Sequence, residues 1–482
     1  MSAPRRNTLS PHRARALALA TLAAVTVLGG CASMAPPLER PAPPVASTFP
    51  NVDPGAPGAA GPQASEIEWQ RFFGDPRLKR LIEIALQNNR DLRVSVLNIE
   101  QARAQYQVRR ADELPTVGAG VSASLQPSGP GRAGNLYTAG LTVTSYELDL
   151  FGRVRSLSDA ALATYFGTEE GRKAAQITLI SAVATTYLSL LADDELLAVT
   201  RQTLVTREES FKLTKLKFDA GAASELDFRQ AESLLEGARV TLAQLVRQRA
   251  LDENALILLI GQPLPAELPG GLGVTGPQVM PDLPAGLPSE VLVRRPDVRL
   301  AEQQLIAANA NIGAARAAFF PRISLTGGLG TASTELSGLL RSGSFGLTLA
   351  PQLLLPIFDA GRNRANLEVS LVNRDIAVAQ YEKAIQTAFR EVSDSLAGRA
   401  TLDEQVRAQA AQLNAEAIRF KLADLRYRAG AASYLDVLDA QRALFSSQQG
   451  LVQVQAARAQ NLVTLYKVLG GGWSGETAAP RP

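Results

Sequence analysis

The chain has 482 residues, 46% of them hydrophobic, which is enough for large cores and more than one domain. Its only histidine is His12 and its only cysteine is Cys31, which excludes an internal disulfide, ordinary His/Cys zinc sites and histidine-assisted nucleophiles. The formal charge of +3 comes from 49 Lys and Arg against 46 Asp and Glu, but four of those arginines (Arg5, Arg6, Arg13, Arg15) lie in residues 1–30, and without them 45 basic residues face 46 acidic ones, with no basic–aromatic patch for nucleic acid.

The four arginines open a targeting segment. The apolar run Ala16–Leu28 has 13 residues, too short for a membrane-spanning helix and suited to a signal-peptide core. The sequence Leu28-Gly29-Gly30-Cys31 resembles a bacterial lipobox, in which Cys31 becomes the lipidated first residue. Gly29 is a less usual residue there, and Ala32 after the cysteine implies sorting to the outer membrane. Acyl chains at about 0.8 kcal/mol per buried CH₂ would anchor the chain. Residues 1–30 are therefore read as signal peptide and 31–65, rich in Pro, Ala and Gly, as a lipidated start and flexible tether. No GxxxxGK[ST] phosphate loop follows, no cofactor is implied, and enzyme activity is not expected.

From there the chain repeats itself. Lys217-Phe218-Asp219-Ala220-Gly221-Ala222-Ala223-Ser224-Glu225-Leu226-Asp227 returns as Arg426-Tyr427-Arg428-Ala429-Gly430-Ala431-Ala432-Ser433-Tyr434-Leu435-Asp436, 209 residues later. Gly152-Arg153 and Gly361-Arg362 keep the same offset. Two tandem copies, 66–275 and 276–475, are expected, with a tail at 476–482. Each copy holds two strand candidates. Val117, Ala119, Val121, Ala123 and Leu125 alternate with Gly and Ser, and Tyr137, Ala139, Leu141 and Val143 with Thr and Gly. In the second copy Ile323, Leu325 and Leu329 alternate with Ser, Thr and Gly; Phe345, Leu347 and Leu349 do the same with Gly, Thr and Ala. A period of two with one apolar face and one small, uncharged polar face suits lipid outside and water inside. Four strands cannot close a barrel and an open edge cannot sit in lipid, so several chains must share one; three would supply twelve strands.

Long helices complete each copy. Leu371, Val378, Ile385 and Val392 are seven apart, as are Val406, Leu413, Phe420 and Tyr427, and Leu438, Phe445, Val452, Ala459 and Tyr466. Such seams predict coiled-coil packing. The stretch 365–425 is read as a long rod with a break at Gly398. Gly221 and Gly430 read as turns between long helices, and Asp436 and Asp439, three apart, share a helix face.

These features resemble the TolC-like outer-membrane efflux family, in its lipidated subgroup serving resistance-nodulation-division pumps. The likeness rests on Trp69 with Phe73-Gly74-Asp75-Pro76-Arg77-Leu78, on Leu283 to Asp297 including Arg294-Arg295-Pro296-Asp297, on Ala307-Ala308-Asn309-Ala310, on Phe320-Pro321-Arg322, and on Tyr434 to Arg442. It implies an α+β membrane protein, mostly helical: a homotrimer whose 12-stranded β-barrel, four strands per chain, continues into a coiled-coil α-barrel reaching into the periplasm. It implies passive conduction of small molecules, a periplasmic adaptor and an inner-membrane pump as partners, and outer-membrane lipid around the barrel. Asp436, Asp439 and Tyr427 fall on the family's periplasmic gate. Ala220, Gly221, Ala222, Ala429, Gly430 and Ala431 fall on the hairpin tips that receive the adaptor. Ala432 stands where some relatives carry a basic latch residue, which leaves Arg426 or Arg442 to compensate. A lipidated adaptor and an exit duct for type I protein secretion are the alternatives; a carboxylate-dependent hydrolase is a distant third.

Overall fold

The computed structural model describes residues 33–50, 64–127, 133–273 and 289–473. The described residues fall into two compact units: those within 33–42, 98–169 and 300–382 form one, and those within 43–97, 170–299 and 383–473 the other.

The first unit contains one antiparallel sheet of β1 (Val117–Pro127), β2 (Ala133–Leu148), β3 (Arg322–Ser333) and β4 (Phe345–Leu354), in chain order. The register joins the apolar positions into rows. Ala119, Leu141, Leu329 and Leu347 lie opposite one another across all four strands. The next row, on the other face, is Gly120, Gly140, Gly330 and Gly346. A Cβ on Gly140 would lie 2.4 Å from the Leu329 carbonyl oxygen, and one on Gly330 would lie 2.2 Å from that of Ala139, so only glycine fits where β2 and β3 meet. The apolar face is uncovered: Val121 is 77% and Leu347 73% exposed. A bulge between Val143 and Tyr146, with Ser145 at φ 55°, shifts the alternation by one residue and returns Tyr146 and Leu148 to the row of Leu325 and Ile323. At the base of the sheet Glu147 accepts a fork of hydrogen bonds from Arg153 (2.8 and 2.7 Å) and pairs with Arg322 at 2.6 Å.

The start of the stretch read as a flexible tether is held in this unit. The Met34 and Pro36 carbonyls accept hydrogen bonds from Arg316 (3.2 Å) and Asn309 (2.8 Å), and Arg40 pairs with Glu302 at 2.7 Å. Composition could not show these ties, because two use backbone carbonyls and the third joins residues 262 positions apart. Cys31 and the signal segment lie outside the described residues.

Eight helices are described: α1 (Trp69–Phe72), α2 (Pro76–Asn88), α3 (Arg90–Ala111), α4 (Arg153–Asp219), α5 (Glu225–Ile260), α6 (Pro296–Ala317), α7 (Arg362–Arg428) and α8 (Tyr434–Val468). α4 and α7 have 67 residues each and begin 209 positions apart. α4 includes a window of mean hydropathy 1.5, enough by length and composition to cross a membrane, but half of that window is buried. Ile180, Val183, Ala184 and Leu188 are at most 2% exposed in the second unit's core. The break expected at Gly398 is absent, and α7 runs through it. Gly398 serves packing: a Cβ there would meet the Asn461 amide at 2.5 Å, and Asn461 donates to the Ser395 carbonyl at 3.0 Å.

The motif residues behind the resemblance hold the second unit together. Asp75, fully buried, caps α2 ahead of Pro76 and accepts from Arg77 N–H (2.7 Å), Leu78 N–H (3.3 Å), Tyr187 O–H (3.0 Å) and Leu272 N–H (2.9 Å). Arg295, 7% exposed, donates to Asp297 (2.6 and 3.0 Å), Glu391 (2.8 Å) and the Val468 carbonyl (2.9 Å). Phe72 stacks on Tyr466 with centroids 3.9 Å apart, and the Tyr466 hydroxyl donates to the Ile67 carbonyl at 2.5 Å.

Candidate functional site

The candidate residues lie on two helix hairpins, α4–α5 and α7–α8, whose tips both belong to the second unit. α4 ends in a Schellman turn: Ala222 N–H donates to the Lys217 carbonyl at 2.7 Å and Gly221 N–H to Phe218 at 2.9 Å. α7 ends likewise, Ala431 donating to Arg426 and Gly430 to Tyr427, each at 2.9 Å. Gly221 (φ 70°) and Gly430 (φ 72°) take the left-handed conformation that these turns demand. Ala220, Gly221, Ala222, Ala429, Gly430 and Ala431 are all exposed, and nothing stands within 4 Å of a Cβ on either glycine. Each tip is a bare knob of backbone that another surface can approach closely.

Beyond the turns the hairpins diverge. α5 opens with a capping box in which the Ser224 hydroxyl accepts from Asp227 N–H at 3.1 Å and the Asp227 carboxylate accepts from Ser224 N–H at 3.3 Å. α8 opens at Ser433 with no side-chain cap. Asp436, the counterpart of Asp227, is therefore free of that duty, and no hydrogen bond or ion pair to it exists among the described residues. It is exposed on an open groove of about 470 Å³ shared with Arg419, Arg426 and Ala432. Asp439, one turn along, is exposed and ion-paired with Arg419 of α7, which also holds Glu416 at 3.2 Å. The two aspartates share a face, as their spacing requires.

Tyr427 bonds elsewhere. Its phenol oxygen accepts from the Lys217 ammonium at 2.7 Å, and its ring lies 5.2 Å from that of Tyr434. Tyr434 in turn bonds the Ser210 hydroxyl at 2.5 Å. The tyrosines thus tie the second hairpin to the first. Of the residues expected to replace a basic latch, Arg426 donates, among the described residues, to the Ala431 carbonyl alone, at 3.4 Å. Arg442 lies near Arg207, whose guanidinium is pushed below its ordinary pKa by burial and then by the Arg442 charge. Lys217, from the other hairpin, is the cation at Tyr427. Sequence reasoning missed Lys217, Arg419 and Ser210. The one available signal was the alignment of Lys217 with Arg426 in the repeated segment. Among the described residues no cluster of His, Cys, Asp or Glu is arranged to hold a metal.

Comparison with known proteins agrees with this geometry. The family model described as outer membrane efflux protein matches residues 81–262 and 287–471. The solvent efflux pump outer membrane protein SrpC of Pseudomonas putida is 47% identical over 462 residues, covering 94% of this chain and 97% of that one. Outer membrane protein OprJ of Pseudomonas aeruginosa is 45% identical over 469 residues, covering 96% and 97%. Among solved structures, the open state of the Neisseria gonorrhoeae MtrE outer membrane channel superposes with a TM-score of 0.84 at 42% identity, covering 92% of this chain and 99% of that one. With an open-edged sheet, paired long hairpins and a match along nearly its whole length, the chain belongs to the outer membrane efflux protein family and is an outer-membrane component of an efflux pump.

Proposed function

We propose that three copies of this chain form one passive duct, anchored by lipid on Cys31, that carries small molecules from a periplasmic adaptor and inner-membrane pump to the exterior. The observation that carries this reading is the four-stranded sheet. β1 and β4 each pair on one side only, β4 is exposed along its whole length, and the apolar row is bare. Unpaired edge groups are not tolerated in lipid, so the edges must be closed by further copies, and three sheets make a barrel of twelve strands. The small, largely uncharged face then lines water. The bare tips at Gly221 and Gly430 take the adaptor, and Asp436 and Asp439 from three chains put six carboxylates around the entrance, where they repel one another and attract cations. No catalytic step is involved. The test is single-channel recording in planar bilayers on protein of verified trimeric mass. Small cation-preferring conductance that rises in the Asp436→Ala, Asp439→Ala double variant supports the gated duct. A folded trimer that conducts nothing overturns it.

A further inference from the structure

The two hairpins share a numbering offset of 209, kept from the helix starts through the tip glycines to the capping serines. Within one chain, the first hairpin lays one face of α4 against the second. Arg207 lies 4.9 Å over the Phe445 ring, Ser210 bonds Tyr434 at 2.5 Å, and Lys217 bonds Tyr427 at 2.7 Å. Arg207, Ser210, Thr214 and Lys217 are spaced three or four apart, one stripe of a helix. Arg207 and Thr214 are buried, at 5% and 4% exposure.

Adding 209 moves this stripe to Glu416, Arg419, Ala423 and Arg426 of α7. Here Arg419, Ala423 and Arg426 form the wall of the open groove that also holds Asp436, while Glu416, its side chain 20% exposed, lies outside that groove. Subtracting 209 from Tyr427 and Tyr434 gives Phe218, half-buried and stacked on Phe228 with centroids 5.3 Å apart, and Glu225. Glu225 is exposed, its side chain 68% accessible.

We infer that the open α7 stripe is the seam for the next copy of this chain, with Arg419 meeting Glu225 of the partner subunit and Arg426 lying against Phe218 of the partner subunit. This rests on the trimer proposed above. A ring of three chains needs a heterologous contact, one face of each copy against a different face of the next. The in-chain contact supplies its template. At two of the three mapped pairs the side chains are complementary: a cation opposite a carboxylate, and a cation opposite an aromatic ring. The third mapped pair sets Glu416 near Glu236 of the partner subunit. Each has an arginine one turn along its own helix, Arg419 at 3.2 Å and Arg239 at 2.7 Å. The guanidinium of Arg419 has five donors and can hold Asp439 of its own chain and Glu225 of the partner subunit together.

The consequence is two kinds of seam in one ring. Inside each chain the hairpins meet through aromatic rings, hydroxyls and the cations Arg207 and Lys217 held against two of those rings. Between chains they meet through an exposed ion pair and an arginine on a ring, and the ion pair is screened by salt and separates more readily. The seams between chains should therefore part first, ahead of the in-chain contact of Lys217 with Tyr427.

Two experiments on the full-length, membrane-extracted protein decide this. With Arg419→Cys and Glu225→Cys in the same chain, a short bis-maleimide should give covalent dimers and trimers. Ser210→Cys with Tyr434→Cys should close inside one chain and leave the monomer mass. Native mass is measured first: a trimer without intermolecular links from the first pair overturns the seam but leaves the trimer standing, whereas a monomer removes the reading on which the seam rests. Arg419→Glu alone and Glu225→Arg alone should each raise channel open probability about tenfold, and the exchanged pair should return it to within about threefold of wild type. An exchanged pair as open as either single reversal refutes the ion pair.

Discussion

Replacing Lys217 by Met removes one ammonium and keeps most of the stem that packs beside Tyr427. The lost contact is a hydrogen bond of 2.7 Å from a charged donor to the phenol oxygen, with the ammonium 4.7 Å from the ring centre. Hydrogen bonds of this kind contribute about 1.5–3 kcal/mol when buried. Lys217 is only half-buried, so the lower end, about 1–1.5 kcal/mol per chain, applies. If three hairpins release together, the closed entrance loses about 3–4.5 kcal/mol, and the open-to-closed ratio rises about a hundredfold to a thousandfold. Single-channel recording at fixed salt reads this ratio directly, with Tyr427→Phe as the matched removal of the acceptor. Should both variants gate like wild type in a particle of trimeric mass, the Lys217–Tyr427 contact does not hold the entrance.

Three further outcomes concern the scaffold. Asp75→Ala takes the cap from α2 and leaves the Tyr187 hydroxyl and Leu272 N–H without their acceptor; a loss of about 3–5 kcal/mol is expected, seen as a lower Tm by far-ultraviolet circular dichroism. Arg295→Met strands Glu391 and the Val468 carbonyl at a cost of about 3–5 kcal/mol, and an unchanged denaturant midpoint would contradict the role given to this arginine. Burial, then the hydrogen bond and charge of Asp252, then the charge of Asp194, push the Asp193 carboxyl up to about 7, with Arg249 opposing. The folded state therefore favours protonated Asp193; this stability is complete below the ordinary carboxylate range and is lost as pH rises through about 7. Tm should fall between about pH 4 and pH 7 and level off above, and Asp193→Asn should flatten the fall.

The alternation of Val117 to Leu125 and of Tyr137 to Val143 sufficed to find β1 and β2 and to gather their apolar residues on one face, because successive side chains of a strand point to opposite faces. It stopped at Thr144 where the strand does not, since the bulge at Ser145 breaks the period while the pairing goes on to Leu148. Gly398 suggested a break because glycine is a poor helix former; packing against Asn461 outweighs that preference. The heptad positions Leu438, Phe445, Val452 and Tyr466 are buried, whereas Val406, Leu413 and Phe420 are only half-buried in the single chain. At the tips, i,i+3 spacing put Asp436 and Asp439 on one face correctly. Their surroundings were not legible, because Arg419 and Lys217 reach them or Tyr427 across helix pairs that no local pattern encodes.

The row of Gly120, Gly140, Gly330 and Gly346 has a consequence for what the duct can refuse. At that level the face opposite the leucine row has no hydroxyl, charge or ring with which to grip a passing molecule. In a barrel built as proposed it is a chemically indifferent waist, so any sorting of cargo falls to other levels of the duct. The middle two glycines are pressed on backbone, but nothing stands within 4 Å of a Cβ at Gly120 or Gly346. Those two positions are free sites for installing a preference the natural wall lacks: Gly346→Glu would place a ring of three carboxylates around the waist and make an indifferent conduit favour cations.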